Sequence, residues 1–155
     1  MSDQPDFDVA SAHKHFSAHC FNKAWELIEK PDRTPEEDEQ MIRLSLASHW
    51  HWTQREDCNA TNTSVAHWQT SRIYAMLGMP DSARRYGQLA LDSCQGEGIL
   101  PFCRGYAYEA LARAESVAGD SQKTKEYLEK AEEAAEAIPD PETKKMLLRD
   151  LATIK

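Results

Sequence analysis

The sequence predicts an all-α protein. Three observations carry this: signals that start and stop helices recur along the whole chain, no useful run of alternating β-branched residues occurs, and only 6 glycines and 7 prolines interrupt the 155 residues. Hydrophobic residues make up 41% and charged residues 28%, the balance of a globular chain rich in helix formers. That length suits one domain, 1–155, able to bury a continuous core.

The first helix is expected from about Asp8 to Glu29, with Phe16, Cys20, Ala24 and Leu27 on one face and Pro31 just beyond its end. Thr34-Pro-Glu-Glu-Asp38 opens the second. Thr34 can cap, Pro35 suits the first turn, Glu37 stands where a capping box closes, and the further acids favour the positive end of the helix dipole. A polar loop, Cys58 to Thr63, should lead to a third helix from Ser64 to Leu77, ended by Gly78 in a left-handed cap. Pro80 and Asp81 start the fourth. After Cys94-Gln-Gly-Glu-Gly-Ile-Leu-Pro101 the fifth runs from Phe102 to Ala118, Gly119 and Asp120 turn the chain, and the sixth runs to about Ile138. Asp140 caps a short seventh that begins at Pro141. Seven helices with short loops predict stacked antiparallel hairpins: an N-terminal hairpin over 8–56, a repeat-like region over 64–138, and a capping helix over 140–154.

Several function classes are disfavoured at this level. A formal charge of -8 repels phosphate backbones and anionic lipid, and no local basic patch offsets it, so neither nucleic acid nor membrane is an expected partner. The start Met1-Ser-Asp-Gln-Pro lacks a basic region followed by an apolar run, and no segment of about 18 apolar residues occurs, so the cytosol is the expected location. Cys20, Cys58, Cys94 and Cys103 form no CxxC pair and read as reduced, small hydrophobes. Asn59-Ala-Thr61 and Asn62-Thr-Ser64 match the glycosylation sequon but read as loop and cap residues. Neither GxSxG nor GxxxxGK is present, so no catalytic residues and no cofactor are expected.

An internal repeat is visible when Arg72-Ile-Tyr-Ala-Met-Leu-Gly78 is aligned with Arg113-Ala-Glu-Ser-Val-Ala-Gly119, the two glycines standing 41 residues apart. In the first copy Ser71 is a small residue before the turn, Tyr74 an aromatic, and Ala83 and Ala90 small packing residues on the next helix. Tyr108, Leu111, Ala112, Leu128 and Ala131 fall on the same pattern in the second. On these residues the region 64–138 resembles the tetratricopeptide repeat (TPR) family, and the whole chain is similar to a group of short bacterial helical-repeat proteins with no assigned activity. Gly87, Thr124 and Glu115 depart from the family pattern, which wants a large residue, an alanine and an aromatic there, and the period exceeds the family's 34 residues.

The resemblance implies a superhelix of hairpins whose concave groove binds a protein or peptide segment. Arg72 and Arg113 each precede their turn glycine by six residues, a position that faces the groove in that family, so two guanidiniums could hold an acidic group by paired hydrogen bonds. Trp68, Ala75 and Met76 share the Arg72 face, and Tyr106, Glu109 and Ser116 surround Arg113, giving an apolar floor beside charge. The competing expectation is internal: Arg72 neutralises Glu109 or Glu115 across the hairpin boundary.

Ser48-His-Trp-His-Trp52 raises a second possibility. On a helix His49 and His51 point about 160° apart and cannot chelate one ion together. Apolar residues flank both, the pattern of a helix packed between two neighbours, with the tryptophans buried and their ring nitrogens hydrogen-bonded. A metal site would instead need His49 or His51 beside His67, with Cys58 between. His15 and His19 share a face, but without an evident third ligand. The expected function is therefore a non-catalytic protein- or peptide-binding scaffold, able to form a homodimer through its uncapped first hairpin. The runner-up is a small metal- or ligand-binding helical protein using these histidines.

Overall fold

Seven α-helices occur among residues 4–155, which the computed structural model describes: α1 (Val9–Glu29), α2 (Pro35–Thr53), α3 (Ala60–Met76), α4 (Pro80–Asp92), α5 (Phe102–Ala118), α6 (Ser121–Glu136) and α7 (Pro141–Leu151). No strand occurs among the described residues, and no helix there is long and apolar enough to cross a membrane. Local chemistry sets most of the boundaries. Thr34 Oγ1 accepts from the Glu37 N–H at 3.2 Å while the Glu37 carboxylate accepts from the Thr34 N–H at 2.9 Å, the reciprocal capping box expected from sequence. Asp120 and Asp140 accept from the backbone three residues on, and Gly78 (φ +72) and Gly119 (φ +81) leave their helices in the left-handed region.

Asn59 and Asn62 do more than occupy a loop. Each side-chain oxygen accepts from the other's N–H, at 3.0 and 3.1 Å, so a second capping box starts α3 at Ala60. Residues 60–63 are therefore helical, a correction to the expected loop, and the break between α2 and α3 falls at 54–59. The sixth helix stops at Glu136, and Ile138 is buried just beyond it.

Consecutive helices pair α1 with α2, α3 with α4 and α5 with α6. Across the pairs, α2 packs on α3, both α3 and α4 pack on α5, and α7 rests on α5 and α6. Small hydroxyl residues fill the contact lines. Ser48 donates to the Ser17 carbonyl (2.6 Å), Ser64 to Ala90 (3.0 Å) and Ser71 to Ala83 (2.7 Å), while Ser45 and Thr70 bond each other at 2.8 Å. Such residues let helices approach closely, and a neighbour's carbonyl satisfies the hydroxyl that burial strips of water.

Close approach also explains one departure from the repeat pattern. A Cβ on Gly87 would stand 3.1 Å from Leu111 Cδ2, so α4 and α5 meet closely at the position where the resembled pattern has a large side chain. On Gly105 a Cβ would come within 2.5 Å of Leu147 Cδ2, because the fully buried Leu147 of α7 packs down onto α5 there. The buried stripe of α1 is Ser17, Cys20, Ala24 and Ile28. Phe16, expected on that stripe, is 43% exposed, and the adjacent Ser17, whose carbonyl accepts from Ser48, is buried in its place.

Removing the Thr34 hydroxyl leaves the Glu37 N–H without its cap. Thr34→Ala is expected to lower unfolding stability by about 1 kcal/mol in urea denaturation, with an unchanged m-value.

Candidate partner-binding groove

Glu109 lies on α5 with its side chain wholly out of water. An isolated buried carboxylate is too costly to persist, so its donors define the site. Trp68 Nε1 donates to one oxygen at 2.7 Å; Arg72 Nη1 at 3.2 Å and Arg113 Nε at 2.7 Å donate to the other. Trp68 and Glu109 hold equivalent positions in the two repeat copies, as do Arg72 and Arg113, so the hub joins equivalent turns of α3 and α5. Burial, with the Arg113 charge beside it, lowers the Arg72 guanidinium from its ordinary value.

The same hub holds the end of α7. Arg113 Nη2 donates to the Asp150 carbonyl (3.2 Å) and to Thr153 Oγ1 (3.0 Å), and the Tyr106 hydroxyl donates to the Asp150 carboxylate at 3.2 Å. Burial first, and then that carboxylate, push the Tyr106 phenol up. The two guanidiniums thus do line up, and what they hold is a carboxylate of their own chain. Glu115, almost fully buried, is gripped in turn by Arg84, whose Nε and Nη2 reach its two oxygens at 2.7 and 3.0 Å. Trp68, Arg72, Tyr106, Glu109 and Arg113 therefore belong to one cluster. Ala75, Met76 and Ser116 instead line, with Arg113 and Thr153–Lys155, an open cavity of about 240 Å³. There Ser116 Oγ donates to the Lys155 carbonyl at 2.5 Å.

Beside the hub, between α1, α3, α5 and α7, opens an apolar groove of about 480 Å³. Trp25, Val65, Trp68, Phe102, Tyr106 and Met146 form most of its wall. The rings brace one another: Trp25 and Trp68 lie 5.5 Å apart, Tyr106 meets Trp68 edge-on at 5.2 Å, and Phe102 meets Tyr106 edge-on at 6.4 Å. A neighbouring cavity of about 320 Å³ shares Val65 and Phe102 and extends to Trp52, whose face carries the Arg55 guanidinium 3.7 Å from the ring centroid. The first is of the size and character of sites that take small ligands or partner side chains. Trp25, Val65, Phe102 and Met146 carry no motif in the sequence. Only the packing of four separate helices assembles them.

The histidines separate. His49 meets His67 edge-on at 4.4 Å, toward α3, whereas His51 Nδ1 lies 2.9 Å from His13 Nδ1, toward α1. The helix is indeed packed between two neighbours. The Cys58 thiol lies by the Asn59 carbonyl and the Thr63 hydroxyl, each at 3.9 Å, and no group of three His, Cys, Asp or Glu side chains among the described residues could hold a metal ion. Trp50, expected to be buried, is 56% exposed and stands edge-on to His13. Burial, reinforced by His49, pulls His67 down to about 4, and burial lowers His49 as well.

Two outcomes follow from these environments. Arg113→Ala leaves Glu109 short of its nearest charged donor and is expected to cost about 2 kcal/mol in denaturant unfolding. Since His67 and His49 are neutral when folded, with values below those of the unfolded chain, their stabilising contribution is complete above about pH 6.5 and is lost as pH falls toward 4. Between pH 7 and 5 calorimetry should register a loss on the order of 1 kcal/mol, largely absent in His67→Gln.

Compared with known proteins, the chain matches no family model, no curated protein and no solved structure, so the reading of its function rests on its own residues.

Proposed function

We propose that the chain is a non-catalytic interaction module of TPR-like type, acting in the cytosol, that seats an apolar anchor of a partner protein or peptide between α1, α3, α5 and α7. The observation that carries this reading is the 480 Å³ groove, whose four mutually braced aromatic rings border an almost wholly apolar space. Rings already held in place lose little freedom on binding, so the contact area they offer converts efficiently into affinity. Because Arg72 and Arg113 are committed to Glu109, the partner's main anchor is an aromatic or long aliphatic side chain and not a carboxylate.

Met146, half exposed at the lip of this groove, makes the reading testable without touching the hub. A displayed library of linear peptides panned on the full chain should yield sequences sharing an aromatic or aliphatic anchor. Those peptides should lose about tenfold or more in affinity toward Met146→Arg, about 1.4 kcal/mol, with the helical circular dichroism unchanged. Peptides that bind the variant equally well, or a selection that yields no shared anchor, would remove the groove from consideration.

A further inference from the structure

The end of α4 and the start of α5 meet on a pair of free thiols. Cys94 and Cys103, each 2% exposed, pack in one buried cluster with Ala90 and Ala107. The Ser64 hydroxyl stands 3.2 Å from Cys94 Sγ, and in the reduced state that thiol donates to the Ala90 carbonyl at 3.1 Å. The chain between them turns on Gly96 (φ +106) and Gly98 (φ +76), which bring the two helix ends together. Each of the two residues also borders a cavity. Cys94 lines a cavity of about 260 Å³ under this turn, with Arg104 at its wall, and Cys103 lines the aromatic groove.

We propose that Cys94 and Cys103 form a reversible oxidation site, in which Cys94 reacts with a hydroperoxide and Cys103 closes an intramolecular disulfide. The two thiols are not equivalent. The neighbouring Cys103 thiol first, and then the Arg104 charge, favour the thiolate of Cys94 against the opposing effect of burial. The neighbouring Cys94 and burial push the Cys103 thiol up, so it keeps its proton and waits. The Cys94 thiolate attacks the terminal oxygen of the hydroperoxide and the O–O bond breaks. The leaving alkoxide takes up the proton that Cys94 released, giving an alcohol and leaving a sulfenic acid. Cys103 sulfur then attacks the sulfenic sulfur; the S–S bond forms, the S–O bond breaks, and hydroxide departs as water with the Cys103 proton. Two thiols are oxidised by two electrons and one hydroperoxide is reduced. A dithiol reductant reverses the change.

The remaining cysteines provide internal controls. Cys20 is buried, with burial alone raising its thiol, and Cys58 is half-buried at the break after α2. The reduced full chain is treated with equimolar hydrogen peroxide, free thiols are capped with N-ethylmaleimide, and peptides are mapped by mass. The expected result is a chain lighter by two hydrogens, a Cys94–Cys103 cross-link formed about tenfold faster than Cys58 is modified, and reversal by dithiothreitol. Cys103→Ser should instead leave a sulfenic acid at position 94 that dimedone traps. Capped Cys94 and Cys103 beside an oxidised Cys58, or a disulfide between chains, would overturn the proposal. Should Cys103→Ser fail to fold, the Cys20→Ser/Cys58→Ser chain, which keeps the pair, must still lose two hydrogens for the proposal to stand.

Discussion

A carboxylate withdrawn completely from water has to find donors within hydrogen-bond reach, and Glu109 draws its three from two helices. That requirement constrains more than one side chain. Trp68 must point its ring nitrogen toward Glu109, and Trp25 and Tyr106 pack against the indole so held. Arg72 and Arg113 must converge across the α3–α5 boundary, which sets the spacing of the two repeat copies. Arg113 then has donors left over, and they collect the last turn of α7. The groove is thus the apolar consequence of a polar constraint.

How much of this the sequence reveals depends on the range of the interaction involved. Thr34, Asp120, Asp140, Gly78 and Gly119 act on backbone groups within a few residues, so their roles could be assigned without knowing the fold. The Asn59–Asn62 box was within the same reach. The sequence marks both as loop and cap residues, and what it leaves open is the helix start at Ala60, because asparagine-rich segments also make good loops. Pairing across helices is another matter. Glu109 and Glu115 both stood as partners for Arg72, and only the rotation of α5 against its neighbours sends Glu109 to Arg72 and Glu115 to Arg84. Likewise no periodicity links Trp25 to Met146, which meet across the chain through the packing of α1, α3, α5 and α7.

The departures from the repeat pattern carry information of their own. Where the pattern wants an aromatic, Glu115 replaces a packing contact with a forked ion pair to α4. Where it wants bulk, Gly87 admits Leu111. Both changes fall on the α4–α5 boundary, and the thiol pair of Cys94 and Cys103 closes the far end of the same boundary. One helix pair therefore holds an ion pair at one end, a close backbone approach in the middle and a buried thiol pair at the other, next to the wall of the groove.

The hub can be examined in a single spectrum, because the chain has 4 tryptophans and two of them differ sharply in environment. Hydrogen exchange of the indole N–H groups, followed by ¹⁵N-resolved NMR, compares Trp68, bonded to a buried carboxylate, with Trp50, which is 56% exposed. The Trp68 indole should exchange as slowly as the core amides of α3 and α5, while that of Trp50 exchanges at once. A Trp68 indole that exchanges as fast as Trp50 would mean that Glu109 does not hold α3 and α5 together, and the account of the groove built on it would be wrong.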